Sequence, residues 1–203
     1  ILPQQQVLRE VLDKGAIAVV ATEKELPRAL DALRQAPQLV ITDSQAFGPV
    51  SRIVPQQVPL TSFSILMARY KGFLQTAVHG VQAIAQLQPG DRVLIAEGCT
   101  HHRQCEDIGT VKLPAWLQKS CGGELSFTFS SGLGFPEDLS GFSLILHCGG
   151  CMLREKEIRF RMRSAREAGI PFTNYGTAIA WMKGILPRSL RPVPGAAAWL
   201  EKE

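Results

Sequence analysis

The sequence predicts an α/β protein made of two small domains, each a mostly parallel β-sheet flanked by helices. Short, continuous apolar runs of buried-strand length recur along the 203 residues, as at residues 93–96 (Val-Leu-Ile-Ala). Segments with apolar residues at 3/4 spacing lie between these runs and indicate helices. Strands that alternate with helices favour parallel sheets covered on both faces.

The N-terminal part of the chain predicts a βαβ unit. Residues 16–21 (Ala-Ile-Ala-Val-Val-Ala) form a continuous apolar run, which predicts a buried strand. Thr22 and Glu25 have the spacing of a capping box, so a helix should begin there. This helix should lead into a second buried strand at residues 39–41 (Leu-Val-Ile).

A proline-rich segment predicts the boundary between the two domains. Residues 45–60 hold three prolines among glutamines, a composition unsuited to regular structure. We therefore place one domain at residues 1–60 and the other at residues 61–203.

The second domain repeats the alternation of helices and strands. The apolar 3/4 spacing at residues 63–87 predicts one long helix that ends before Pro89-Gly90. The remaining predicted elements are strands at 93–96, 125–129, 144–146 and 171–173, with helices at 113–117, 153–168 and 175–183. Asn174 is the expected N-cap of the last helix.

Composition limits the classes of function. Hydrophobic residues make up 45% of the chain and charged residues 20%, and no apolar run approaches the ~18 residues of a membrane span. The formal net charge of +4 is too small to indicate nucleic-acid binding. The chain starts at Ile1 without a charged-then-apolar leader, so we expect a fragment of a longer protein with no secretory signal. These features predict a soluble protein without membrane or nucleic-acid partners.

A basic segment follows the last cysteine. Six cations lie between Cys151 and Ala168, where Ile158, Met162 and Ala165 recur at helical spacing. We interpret the cations as the solvated face of a helix, in preference to a site for an acidic protein partner.

Five cysteines indicate thiol chemistry. Their odd number, the absence of a leader and the Cys-x-x-Cys pair at Cys148 and Cys151 favour a reducing, cytoplasmic compartment. There, thiols bind metals or carry redox chemistry in preference to forming structural disulfides.

Two cysteine–histidine clusters follow two predicted strands. Cys99-Thr100-His101 comes after the strand at 93–96, and His147-Cys148-Gly149-Gly150-Cys151 comes after the strand at 144–146. Because ligands bind beyond the carboxyl ends of strands in open α/β sheets, both clusters should share one crevice. Cys151 should also open a helix, whose positive N-terminal end would lower the pKa of its thiol.

Four interpretations fit this arrangement. A zinc site could use the three cysteines and one histidine, and an iron–sulfur cluster could use the three cysteines with a labile fourth position. A thiol redox pair would need only Cys148 and Cys151. A turn that merely contains thiols is less compatible with the aligned second cluster, and the spacing alone does not separate iron from zinc.

Several segments resemble the two C-terminal domains of the HydF family, the GTPase maturases of FeFe hydrogenases. The match rests on VITDS (40–44), PLTSFSILMARYKG (59–72), GDRVLIAEGCTHH (90–102), DIGTVKLPAWL (107–117), FPEDLS (135–140), HCGGCML (147–153) and TNYG (173–176). The family's Cys-x-His motif, followed by His-Cys-x-x-Cys, is present in this sequence.

This resemblance implies a 4Fe–4S cluster bound by Cys99, Cys148 and Cys151. His101 or His147 would be the possible labile fourth ligand, and the open iron would carry a diiron subcluster precursor for transfer to apo-hydrogenase. Residues 1–60 would form a homodimerisation domain, and residues 61–203 the cluster-binding domain. The implied partners are a second copy, apo FeFe-hydrogenase and the two radical-SAM maturases.

The sequence departs from the family pattern in two ways. It contains no Gly-x-x-x-x-Gly-Lys-Ser/Thr motif, so we expect no GTPase domain, no nucleotide and no enzymatic activity in this chain. Cys105 is an additional thiol near Cys99, which we interpret as a bystander in preference to a fourth ligand that would change the lability of the cluster. We expect His102 to make a supporting hydrogen bond to a ligand and Cys121 to have a structural role. Glu201 is a further candidate for the open fourth ligand position of the cluster.

Overall fold

The computed structural model describes residues 2–98 and 108–200. Its helices are α1 (Leu2–Asp13), α2 (Leu26–Asp31), α3 (Phe47–Ile53), α4 (Phe63–Tyr70), α5 (Leu74–Gly80), α6 (Leu113–Cys121), α7 (Glu155–Glu167), α8 (Tyr175–Met182) and α9 (Leu186–Leu190). Its strands are β1 (Val40–Thr42), β2 (Leu60–Ser62), β3 (Arg92–Ala96), β4 (Ser126–Ser130), β5 (Leu144–His147) and β6 (Phe172–Asn174). No helix within these ranges is long and apolar enough to cross a membrane.

The strands form two parallel sheets, as the sequence predicts. One sheet pairs β1 with β2, with Val40 opposite Leu60. The other has the order β4-β3-β5-β6, and all three of its pairings are parallel. The central strands β3 and β5 are almost wholly buried, which explains their uninterrupted apolar sequences. The α/β fold class is confirmed, and the domain boundary at residue 60 stays a prediction.

The apolar run at residues 16–21 does not form the predicted strand. Residues 16–20 have no regular structure, and Ile17 and Val20 are 91% and 80% exposed. The apolar composition indicates a tendency to form a strand, but no strand of the described chain pairs with this run. The following helix begins at Leu26, although the Glu25 amide does donate to Thr22 Oγ1 over 3.4 Å.

The predicted long helix at residues 63–87 is interrupted. Helix α4 ends in a Schellman motif, in which the Gly72 amide donates to the Arg69 carbonyl and the Phe73 amide to the Ala68 carbonyl. Gly72 takes the left-handed conformation with φ +77°, and Phe73 is fully buried. Both α4 and α5 bury apolar residues in the same core, so the 3/4 spacing continues across the break.

Residues 45–60 are more ordered than the prolines suggested. They contain α3, where Pro49 lies in the first turn and its missing N–H removes no helical hydrogen bond. The loop after α3 surrounds the guanidinium of Arg188, which is 6% exposed. That group donates to the carbonyls of Ser51, Val54, Pro55 and Val58 over 3.1, 3.0, 2.6 and 3.1 Å. A distant arginine thus satisfies carbonyls that a strand or helix would otherwise pair.

Close packing of α5 on β6 generates a prediction at Gly80. A β-carbon there would lie 2.2 Å from the Phe172 carbonyl oxygen, so Gly80→Ala requires the backbone to move. We expect a loss of about 1–3 kcal/mol in the free energy of unfolding, measured by urea denaturation. Gly48→Ala in α3 is the control, because its nearest neighbour would be 3.9 Å away. It should be neutral or stabilising, and equal losses in both variants would contradict the packing argument.

Candidate metal site

The carboxyl ends of β3, β5 and β6 form one edge of the larger sheet. Ala96 lies opposite His147, and His147 lies opposite Asn174. The Cys148 amide continues this ladder by donating to the Ala96 carbonyl over 2.9 Å. The expectation that the two strand ends meet at one edge is therefore confirmed.

The thiol of Cys148 is surrounded by backbone N–H groups. The Gly98 amide donates to its Sγ over 3.0 Å and the Gly150 amide over 3.4 Å. Gly150 has φ +65°, and a β-carbon there would lie 2.4 Å from Ile158 Cδ1, so only glycine fits this turn. Hydrogen bonds from amides stabilise a thiolate more than a thiol, and a thiolate is the form that binds metals.

Cys151 does not open a helix, contrary to the prediction. It lies in a turn, and α7 begins at Glu155 with Arg154 as its N-cap. The intervening Leu153 is buried and lies beneath Gly98, where a β-carbon would approach Leu153 Cγ to 2.7 Å. Seating Leu153 in the core therefore delays the start of the helix from Cys151 to Glu155.

His147 is fully buried at the end of β5. Its Nδ1 lies 2.7 Å from the Cys148 carbonyl oxygen, and its Nε2 lies 3.1 Å from Nη1 of Arg161. Burial lowers its pKa to about 4, and the nearby Arg161 charge acts in the same direction, while the bond to the Cys148 carbonyl opposes them. The imidazole is therefore neutral at pH 7, with a polar contact at each ring nitrogen.

Arg161 is the residue of this site that the sequence interpretation missed. The sequence predicted that Arg161 lies on a solvated helix face, but its side chain is 0% exposed. Its Nε donates to Glu157 Oε1 over 2.9 Å, its Nη2 donates to the Gly132 carbonyl, and its guanidinium lies 5.0 Å from the Phe135 ring centroid. Its position does carry a signal, because Arg161 falls at helical spacing on the same face as the buried Ile158 and Ala165.

Glu97 is a second residue that the sequence interpretation did not single out. It directly follows β3, and its Oε1 accepts a hydrogen bond from the Tyr175 hydroxyl over 3.3 Å. Gly109 packs against both groups, because a β-carbon there would lie 2.5 Å from Glu97 Oε1 and 2.6 Å from the Tyr175 oxygen. A carboxylate and a phenol thus lie at the same sheet edge as the Cys148 thiol.

Several predicted ligands lie outside the described residues. These are Cys99 and His101, together with His102, Cys105 and Glu201. Within residues 2–98 and 108–200, no three side chains of histidine, cysteine, aspartate or glutamate converge as a metal site. The three cysteines of that part, Cys121, Cys148 and Cys151, are each partly buried.

The donors that are described suit a thiolate-bound metal. Cys148 and Cys151 are partly buried on one tight turn, and two amide N–H groups donate to the sulfur of Cys148. Gly98, whose amide contacts Cys148 Sγ, directly precedes Cys99 in the sequence. Sulfur donors of this kind fit iron–sulfur clusters and zinc, and they do not fit magnesium or calcium.

Comparison with known proteins identifies the family. Residues 1–72 match the hydrogen maturase F dimerization domain, and residues 75–192 match the hydrogen maturase F tetramerization domain. Curated protein sequences give no match to the chain. Because the two matches together cover nearly all of the 203 residues, the chain belongs to the hydrogen maturase F family.

Proposed function

We propose that this chain is a scaffold in FeFe-hydrogenase maturation that binds a 4Fe–4S cluster through Cys99, Cys148 and Cys151. The observation that carries the proposal is the 3.0 Å contact between the Gly98 amide and Cys148 Sγ. It brings the residue before Cys99 against the His-Cys-x-x-Cys turn. The family match supports a role in hydrogenase maturation, and the diiron precursor is the cargo for apo-hydrogenase.

Several described residues would support the cluster, each in a different way. Amide donors stabilise the Cys148 thiolate, Gly150 permits the turn, and Leu153 anchors the turn in the core. A cluster with three thiolates offers one iron for exchangeable ligation when bound. Because both nitrogens of His147 already have partners, His101 is the better candidate for a labile histidine ligand.

Metal analysis of cysteine variants tests the proposal. Anaerobic reconstitution of the intact chain should give about four irons and four sulfides per chain. Cys148→Ala and Cys151→Ala should each abolish the cluster, because two thiolates do not hold it. Cys121→Ala is the control, since Cys121 ends α6 and should leave the iron content unchanged.

Three results would contradict the assignment. One zinc per chain without visible absorption would favour a zinc-stabilised interaction module. Full iron content in a Cys148→Ala, Cys151→Ala double variant would show that other residues bind the cluster. Reduction of insulin disulfides by the metal-free protein would indicate a thiol redox protein.

We further propose that the exposed apolar run at residues 16–20 pairs with a second copy of the chain. The match to a dimerization domain supports self-association, and strand formation by this run needs a partner strand. Pairing between copies would also bury Ile17 and Val20, which are exposed in the single chain.

Replacing two apolar side chains of this run tests the pairing. The Ile17→Lys, Val20→Lys variant should shift the protein to smaller species in sedimentation equilibrium, because buried lysines oppose association. Tyr70→Lys is the control, since Tyr70 is exposed at the end of α4. An unchanged mass distribution in the double variant would exclude this interface.

The solvent face of α7 is the surface that we propose for docking apo-hydrogenase. Lys156 and Arg163 are exposed there, and Phe160 between them is 55% exposed. The helix begins four residues after Cys151, so this face lies next to the thiol turn along the chain. Arg161 is not part of it, because its side chain is buried.

Charge reversal on this face tests the docking proposal. Lys156→Glu with Arg163→Glu should slow association with apo-hydrogenase at low salt by roughly 10-fold or more, with the iron content unchanged. Lys24→Glu with Lys119→Glu is the control, because it makes the same charge change at exposed positions on other segments. Equal association rates for the two double variants would exclude the α7 face.

A further inference from the structure

We propose that Arg161 is a positioning residue for the candidate metal site. It holds the His147 ring so that Nδ1 donates to the Cys148 carbonyl and Nε2 accepts from Arg161. With both ring nitrogens engaged, His147 shapes the thiol turn without being a ligand. The inference rests on the proposed function only in taking Cys148 as a ligand.

The hydrogen-bonding partners of His147 determine which nitrogen carries the proton. The Cys148 carbonyl can only accept, so Nδ1, which lies 2.7 Å from it, must be the protonated nitrogen. Arginine can only donate, so Nε2, which lies 3.1 Å from Arg161 Nη1, must provide a lone pair. That lone pair is the one a metal would need, and the guanidinium occupies it.

Arg161 is itself fixed from three directions. It bonds Glu157 one turn earlier on α7, His147 at the end of β5, and the Gly132 carbonyl in the loop after β4. The Phe135 ring covers its guanidinium at 5.0 Å from the centroid. A planar guanidinium with five N–H donors can serve these three acceptors at once, whereas the lysine ammonium lacks this planar fork.

The position of the ring bears directly on the cysteine ligand. The bond from Nδ1 holds the carbonyl of Cys148, the residue whose Sγ accepts from the Gly98 and Gly150 amides. Gly150, two residues further on, packs against Ile158 of α7, on the same helix as Arg161. Loss of Arg161 would leave a buried acceptor on His147 unpaired and would release the ring that fixes this turn.

The first experiment uses metal-free protein and needs no knowledge of the metal. Two-bond ¹H–¹⁵N correlation spectra of the ¹⁵N-histidine-labelled chain at pH 7 should show His147 as the Nδ1–H tautomer, identified by the loss of its signals in His147→Asn. In Arg161→Met the two tautomers should mix. In Arg163→Met, a control at an exposed position on the same helix, the Nδ1–H form should persist.

The second experiment tests the loaded protein. Pulsed EPR of the reduced, reconstituted cluster with ¹⁵N-labelled histidine should give the same nitrogen couplings in wild type and in His147→Asn, whose amide can still donate to the Cys148 carbonyl. Arg161→Met should lose iron to a chelator roughly 10- to 100-fold more readily than wild type, as for other residues that orient ligands. Arg161→Lys should fall between the two.

The outcomes separate this inference from the proposed function. A wild-type spectrum with the Nε2–H tautomer, or a nitrogen coupling that disappears in His147→Asn, would overturn it, even if Arg161→Met fails to fold. If the chain bound zinc or no metal, the proposed function would fail, while the tautomer experiment would still decide the role of Arg161.

Discussion

The parallel pairing of β3 with β5 is the constraint on which the rest of the site depends. It sets Ala96 opposite His147, so that both strands end at one edge and Gly98 meets the Cys148 thiol. The register is held by fully buried side chains of the two strands, such as Leu94 and Ile145. Each contributes about 1.5–3 kcal/mol on burial, more than a hydrogen bond to sulfur can supply. The packing of the sheet, more than the hydrogen bonds to sulfur, therefore aligns this edge.

Two buried arginines connect this framework to irregular segments of the chain. Arg188 satisfies four carbonyls around the loop after α3, and Arg161 joins α7, the end of β5 and the loop after β4. Burying a cation is unfavourable unless its N–H groups find acceptors. Arg188 donates to carbonyls at the end of α3 and in the loop after it, and Arg161 donates to the Glu157 carboxylate, His147 Nε2 and the Gly132 carbonyl. At both places, a buried guanidinium thus pairs with backbone carbonyls of an irregular segment.

The sequence predicted the larger sheet well, because its strands carry their signal in their own residues. The runs at β3 and β5 are continuous and apolar, and Asn174 caps α8 as expected, with Oδ1 accepting from the Thr177 amide over 2.8 Å. The sequence-based predictions were wrong where the local structure depends on contacts with residues far away in the sequence. Within the part of the chain that the structure describes, no strand pairs with residues 16–21, and the carbonyls around Arg188 are satisfied by a residue distant in the sequence. Likewise, helical spacing alone does not show that the core contains hydrogen-bond acceptors for Arg161.

The arrangement of fixed and exposed groups suits a protein that must hold one ligand set and release another. The Cys148 carbonyl, His147 and Arg161 form a buried layer on one side of the thiol turn, where every polar contact is already made. Met152, which follows Cys151 in the sequence, and Phe160 of α7 are more than half exposed. Among the described residues, the buried imidazole of His147 is engaged at both nitrogens, so it has no open lone pair for a metal held by these thiols. If these thiols bind a cluster as proposed, its exchangeable position would have to use a ligand other than His147.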